Sequence, residues 1–425
     1  MFTLNLSTTL LWYTHSAAAR VDNLSLHGRS QISTQIDSSH RLPALDAIRA
    51  AALLLGICLH ASLSFVPGLE AALWPIRDNQ TSDTLSVLMF VIHIFRMSVF
   101  FLVAGFLAHG LLARLGTRAF MRNRAARILT PLALGWVVSF VLIVAVVLWA
   151  MARANGGRLP DPLPAAKAGN ALNFLHLWFL YMLLWLYAMA LGLRAVLATL
   201  DPHGICVAGA DRAMQAVLRL YAGPLLLALP VSAALLYVPL AQLGMGVPTP
   251  AYTLIPPAVP LFIYGYMFVI GWALARNRSL LDVLAQRWAA HVAVGVLATG
   301  TCLWLLADTP SASGIPIPTE PLLYVASYSI ALVCGALAFV GAGVRYLNRQ
   351  SPRVRYLADA SYWMYLAHLP VVMALQTVFM LTPWHWALKY ALINVWCVAF
   401  LLVTYHYGVR STWVGQLLSG SRKPR

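Results

Sequence analysis

The chain has 425 residues, of which 60% are hydrophobic and 10% charged, with a mean hydropathy of +0.75. Those values exclude a soluble globular domain and describe a polytopic membrane protein. The formal charge of +16 does not point to nucleic acid, because the basic residues lie in short loops between apolar runs and not on one soluble face.

Residues 1–42 are polar and rich in Ser, Thr and His. The apolar patch at Leu10 to Tyr13 has no basic flank before it, so it makes a poor signal peptide. The segment reads as a disordered cytoplasmic tail, or as a start codon placed too early.

Residues 43–410 then carry ten runs long enough to cross a hydrocarbon core of about 30 Å as helices. They lie near 44–66, 85–111, 128–151, 172–198, 214–239, 256–275, 288–307, 321–343, 357–381 and 386–409. The fold class expected is all-α, a polytopic bundle of about ten transmembrane helices forming one membrane domain. A short basic tail, 411–425, follows. Most of the Lys and Arg residues sit in the tails and in alternate loops, which predicts that both termini are cytoplasmic.

The first run, LDAIRAAALLLGICLHASLSF, holds Arg49 and His60. Ionisable groups at bilayer depth are costly and mark function by default. Their eleven-residue separation puts both on nearly the same helix face, about 16 Å apart. The topology places Arg49 just inside the cytoplasmic end and His60 in the outer half. Asp46, one turn before Arg49, would pair with it or serve the helix start.

The second run carries His93 and Arg96, three apart and so on one face. His93 comes to roughly the depth of His60, so a hairpin of these two helices would let both imidazoles and the guanidinium line one polar cavity. The plainer role for His93 and Arg96 is hydrogen bonding to carbonyls of broken helices. The loop that follows, ARLGTRAFMRNRAARILTP, has Arg114, Arg118, Arg122, Arg124 and Arg127 and no acid. It is an anion site, suited to phosphate contacts and equally to anionic lipid headgroups.

The fourth run begins at NFLHLWFLYMLLWLY, where His176 stands among Trp178, Tyr181, Trp185 and Tyr187. These rings fit an aromatic belt at the membrane surface or a face for sugar rings. Pro224 and Pro230 interrupt the fifth run. In the ninth, ASYWMYLAHLP places His368 a turn or two after Tyr362 and Tyr365, a pattern that core packing and a proton relay explain equally. Cys58, Cys206, Cys302, Cys334 and Cys397 show no metal-like spacing, so neither a disulfide framework nor a metal site is expected.

In sum of motifs, the chain resembles the membrane acyltransferase 3 family, whose first helix carries a Leu-Asp pair, an arginine, ten intervening residues and a histidine. Leu45, Asp46, Arg49 and His60 stand in that pattern here. SVFFLVAGFLA is similar to the family's phenylalanine-rich run, Arg124 with Arg127 to its Arg-x-x-Arg element, and ASYWMYLAHLP to its late Ser-Tyr, Tyr-Leu, His block. HLWFLYMLL is most similar to a branch that succinylates periplasmic glucans. The resemblance covers residues 43 to about 410.

The resemblance implies an inner-membrane enzyme that moves an acyl group from a cytoplasmic acyl-CoA to a hydroxyl of a carbohydrate at the outer face. The acyl-CoA is a co-substrate, and no tightly bound cofactor is expected. Arg122, Arg124 and Arg127 would hold its phosphates and Arg49 would belong to the donor end. His60 would act as general base or accept the acyl group transiently, with Arg96 or His93 steadying the oxyanion. His176, Trp178, Tyr181 and His368 would face the acceptor. The chain departs from a His-carboxylate dyad, since Asp46 is far from His60, and no soluble hydrolase-like domain is appended. The rival reading is a transporter or flippase of a glycan or lipid-linked sugar. Against it, the sequence shows no half-to-half repeat and fewer than twelve spans. A scaffold for glycan-synthesis enzymes would leave the polar cluster of the first two helices unexplained.

Overall fold

The computed structural model describes residues 42–69, 73–161, 173–251, 253–307 and 316–419. Of the tails expected at 1–42 and 411–425, residues 1–41 and 420–425 lie outside the described residues, and Trp413–Ser419 is helical. Among the described residues the chain is helical and has no strand. The helices are α1 Pro43–Ser62, α2 Asp83–Arg124, α3 Thr130–Ala154, α4 Trp178–Leu200, α5 Ile205–Arg219, α6 Gly223–Leu235, α7 Leu240–Leu243, α8 Ala258–Arg276, α9 Ser279–Leu306, α10 Pro321–Tyr346, α11 Pro352–Phe379, α12 Trp386–Thr404 and α13 Trp413–Ser419.

Eight helical runs are long and apolar enough to cross a membrane, or nine if the bent pair α5 and α6 forms one broken span. That differs from the ten expected spans, and the difference has two sources. The expected second and third spans fall within one helical stretch, Asp83–Ala154, of 72 residues. The segment expected to be a loop between them is rich in Ala, Leu and Arg, all good helix formers, and holds no proline before Pro131, which stands in the first turn of α3, so it stays helical. A straight helix of that length would measure about 108 Å, several times the hydrocarbon thickness. Gly116 breaks it, with φ 71 and ψ 171 inside α2, a left-handed φ that glycine adopts without strain. A π-helical turn, Ala125–Leu129, then leads into α3. The second source is the fifth expected span, which is the pair α5 and α6, bent by 115°, with Pro224 in the first turn of α6.

Outward faces are apolar, as lipid contact requires: Val137, Val138, Val141 and Leu142 of α3 are all exposed. Inside, small residues let backbones meet. A Cβ at Gly105 of α2 would strike the Phe268 carbonyl of α8, and one at Gly271 of α8 would strike the Leu102 carbonyl of α2. Gly341 plays the same part between α10 and α9, against the Leu284 carbonyl.

Helix α11 is the axis of the half that holds the polar residues. Leu53, Ile57 and Ala61 of α1 share a core with Ala360, Met364 and Val372 of α11 and with Ile393, Cys397 and Leu401 of α12. Leu59 of α1 meets Met89 and Ile92 of α2. Leu69, Trp74 and Ile76, from the connection between α1 and α2, pack on Ile143 and Ala150 of α3 and on Leu369, Met373 and Met380. That last cluster lays the connection across one end of the bundle, next to the end of α1 that carries His60.

Candidate active site

His60 lies in the last turn of α1, and three distant segments converge on it. His368 of α11 comes within 5.3 Å, centroid to centroid. His176, from the 3-10 turn Leu175–Leu177 that opens α4, lies 5.0 Å from His368, edge to face. Among the described residues, the polar groups close enough to act on His60 electrostatically are His368, Arg96, His176 and His93, and no carboxylate is among them. Three imidazoles and a guanidinium therefore lie around the ring: His93 and Arg96 from α2, as expected of the hairpin, and His368 and His176 from segments far along the chain.

Arg96 reaches across from α2 to Gly56, one turn before His60 on α1. A Cβ at position 56 would collide with its Nη1. Glycine there is what lets the guanidinium lie against α1. Tyr264 and Tyr365 are its electrostatic neighbours, and its Nε is buried with no hydrogen-bond partner among the described residues. His93 instead lies beside the backbone at Met245.

The carbonyls of α11 fix two tautomers. His368 Nδ1 lies 2.8 Å from the Tyr365 carbonyl, and His176 Nε2 lies 3.1 Å from the Leu366 carbonyl. A carbonyl only accepts, so each of those nitrogens carries the proton. In the neutral rings this leaves His368 Nε2 and His176 Nδ1 as the basic nitrogens. His176 Nδ1 and His60 Nδ1 are both buried without a partner among the described residues. Buried polar atoms are nearly always satisfied, so these two imidazole nitrogens are free to bond a group that enters the cluster.

The backbone beside His176 is strained in the same sense. Leu175, with φ 53, is the single non-glycine residue of positive φ among the described residues. Such conformations persist where the surroundings over-determine them, and they concentrate at functional sites. Here Asn173 Oδ1 accepts from the Leu175 amide at 2.8 Å, and Trp136 Nε1 donates to the Asn173 carbonyl at 2.8 Å. The Tyr365 hydroxyl donates to the His176 carbonyl at 2.8 Å.

The sequence left His60 without an orienting group, and the structure supplies one that is not a carboxylate. Trp74 stacks on the imidazole, 5.8 Å between centroids and 15° between planes. Trp74 Nε1 donates to Gln376 Oε1 at 3.1 Å. Gln376 Nε2 in turn donates to the carbonyls of His60 at 3.0 Å and Ala61 at 3.2 Å. One side chain thus ties the stacking ring and the backbone of the histidine together. Neither Trp74 nor Gln376 was singled out from sequence; a tryptophan in a short connection between helices was the available sign.

The remaining candidates fall elsewhere. Arg49 donates to the Ala358 carbonyl at 3.3 Å and to Ser361 Oγ at 3.4 Å, with Asp46 Oδ1 at 3.5 Å from its Nη1. Ser361 precedes His368 by two turns of α11, about 10 Å, so Arg49 does not join the histidines. At that same end, the Tyr362 hydroxyl donates to the Arg127 carbonyl at 2.6 Å. The Arg124 guanidinium lies over Phe120 at 5.6 Å and Tyr187 at 5.7 Å, while Arg122 is exposed. Trp178 is packed inside the bundle against Phe101 at 6.2 Å and Tyr264 at 5.6 Å, and Tyr181 stacks on Phe174 at 4.3 Å. Neither ring forms a belt at the surface. Among the described residues no group of three His, Cys, Asp or Glu could hold a metal ion.

A family model of an acyltransferase domain matches residues 42–406. Glucans biosynthesis protein C of Escherichia coli O139:H28 is 23% identical over 339 residues, covering 77% of this chain and 81% of the relative. The protein of the same name from Salmonella heidelberg is 25% identical over 346 residues, and that from Salmonella agona 26% over 348, each covering 77% of this chain and 82% of the relative. No solved structure matches.

Proposed function

Because this chain belongs to the acyltransferase 3 family and is a membrane acyltransferase, we propose that it moves a succinyl or acetyl group from a cytoplasmic acyl-CoA to a hydroxyl of a periplasmic or cell-surface glycan. The name its relatives carry supports a glucan-like acceptor. The protein sits in the inner membrane with both termini cytoplasmic, as its distribution of Lys and Arg suggests.

The observation that carries the reading is the cluster of His60, His368 and His176 with Arg96 one turn away. His60 takes the proton of the acceptor hydroxyl as its oxygen attacks the thioester carbonyl. Negative charge builds on the carbonyl oxygen, where Arg96 is the cation at hand and His93 a second donor. Collapse expels the coenzyme A thiolate, which receives the proton that His60 took. His368 and His176 extend the path along which that proton moves. Arg122, Arg124 and Arg127 hold the donor phosphates, with Arg49 at the same end, and Tyr362 and Tyr365 of α11 line the way from there to the histidines.

Purified protein in liposomes, given radiolabelled acyl-CoA and glucan, tests this. We expect label on the glucan, reduced by a factor of order 100 to 10,000 in His60→Ala at equal folded protein. Full transfer by that variant would remove His60 from the chemistry, and glucan movement without donor would make the protein a transporter.

A further inference from the structure

The connection between α1 and α2 is fastened by a fully buried ion pair. Lys389 Nζ, near the start of α12, lies 2.8 Å from Asp78 Oδ1, with the two side chains 0% and 2% exposed. The same Nζ donates to Asn79 Oδ1 at 2.7 Å. Burial pushes the Asp78 carboxyl up, and Lys389 works against that push.

Such a pair is a poor way to gain stability, because removing two charges from water costs about what their attraction returns, and apolar residues of similar size often serve better. What a buried pair with added hydrogen bonds does supply is one register. The neighbours show which one. The Asp78 amide donates to the Ser64 carbonyl at 3.0 Å, and the Asn79 amide to the Met380 carbonyl at 3.1 Å. Asn79 Nδ2 donates to the Thr382 carbonyl at 3.1 Å, and Gln80 Oε1 accepts from the Trp386 amide at 2.7 Å. Three consecutive side chains, Asp78, Asn79 and Gln80, are thereby stitched to the start of α12 and to the turn before it. Trp74, four residues before Asp78, is held at its other edge by Gln376 of α11.

We propose that Lys389, with Asp78 and Asn79, is a positioning residue for the acyltransferase reaction: it fixes the connection that carries Trp74, and Trp74 fixes the ring of His60. The inference rests on the reading of His60 as the base. Lys389 touches no reacting atom. Its effect passes through the connection, then the indole, then the imidazole, and a misplacement of about 1 Å at the end of such a chain costs on the order of 100-fold in rate.

The test uses the full chain labelled with 5-fluorotryptophan, comparing wild type, Lys389→Met, Lys389→Arg and the apolar pair Asp78→Leu with Lys389→Met. The Trp74 fluorine signal, one of fourteen, is assigned by its loss in Trp74→Phe and its shift in His60→Ala. In Lys389→Met and in the apolar pair we expect this signal to move or broaden. Their kcat should fall by about 10- to 100-fold while KM for acyl-CoA stays within about twofold. Lys389→Arg should recover much of both. The apolar pair leaves no buried charge, so it carries the test if Lys389→Met does not fold. An unmoved Trp74 signal with unchanged kcat in Lys389→Met would overturn the proposal, as would full kcat in a well-folded apolar pair. If the wild type transfers no acyl group yet the Trp74 signal still depends on Lys389 and His60, the positioning stands and the assigned reaction falls.

Discussion

His60 and His368 face each other at 5.3 Å although one closes the first helix and the other lies in the middle of α11. The Nδ1 proton of His368 is taken up by the Tyr365 carbonyl, which leaves its Nε2 as the basic nitrogen of the neutral ring. If the two rings act on one proton, their losses overlap. We expect His368→Gln to lower kcat by about 10-fold or more, and the double variant with His60→Ala to be little worse than His60→Ala alone. Initial rates of glucan acylation in liposomes measure this, and fully multiplicative losses would separate the two histidines.

Gly56→Ala should impair activity while sparing the fold. The atom it displaces is the far end of the Arg96 side chain, not backbone, so the stability cost should stay near 1 kcal/mol. The guanidinium, driven off α1, would leave the place where the oxyanion forms, and kcat should fall by about 100-fold, the usual worth of an oxyanion donor. Thermal unfolding in detergent and steady-state rates together check it. Equal losses in stability and rate would point to simple misfolding.

Gly271→Ala should do the opposite. Its new Cβ meets the Leu102 carbonyl of α2, which cannot turn aside as a side chain can. Helices α2 and α8 would be forced apart, at a cost of about 1 to 3 kcal/mol. The melting temperature should drop while kcat per folded molecule holds. A melting temperature equal to the wild type would show that the close approach is not needed.

Arg124→Ala combined with Arg127→Ala should weaken acyl-CoA binding by about 1 kcal/mol or more, the usual scale for charge-assisted contacts. Arg124 also rests on Phe120 and Tyr187, so Arg124→Lys with Arg127→Lys, which keeps the charge, separates packing from phosphate binding. Donor titrations by calorimetry would reveal it. Unchanged affinity would leave these arginines as markers of the cytoplasmic side.

Hydropathy placed most of the membrane helices, because apolar length is a local property, and it failed at the bent pair α5 and α6 and where helix propensity and apolarity part company. The Arg-rich segment before Thr130 is polar yet helical, so two spans run together until Gly116 and the π-helical turn redirect them. Periodicity likewise put His93 and Arg96 on one face, since spacing along one helix fixes it.

The sequence by itself thus determined the class of protein, its helical runs, the costly polar residues within them and the motif order that resembles its family. Tertiary structure alone decided that His176 and His368 stand with His60, that Arg49 turns to Ser361 instead, that Trp178 is buried, and that Trp74 and Gln376 orient the imidazole. The reason is physical. A helix's period fixes which residues share its own face, but which faces meet depends on packing among all the helices, and a loop's register depends on hydrogen bonds to partners hundreds of residues away.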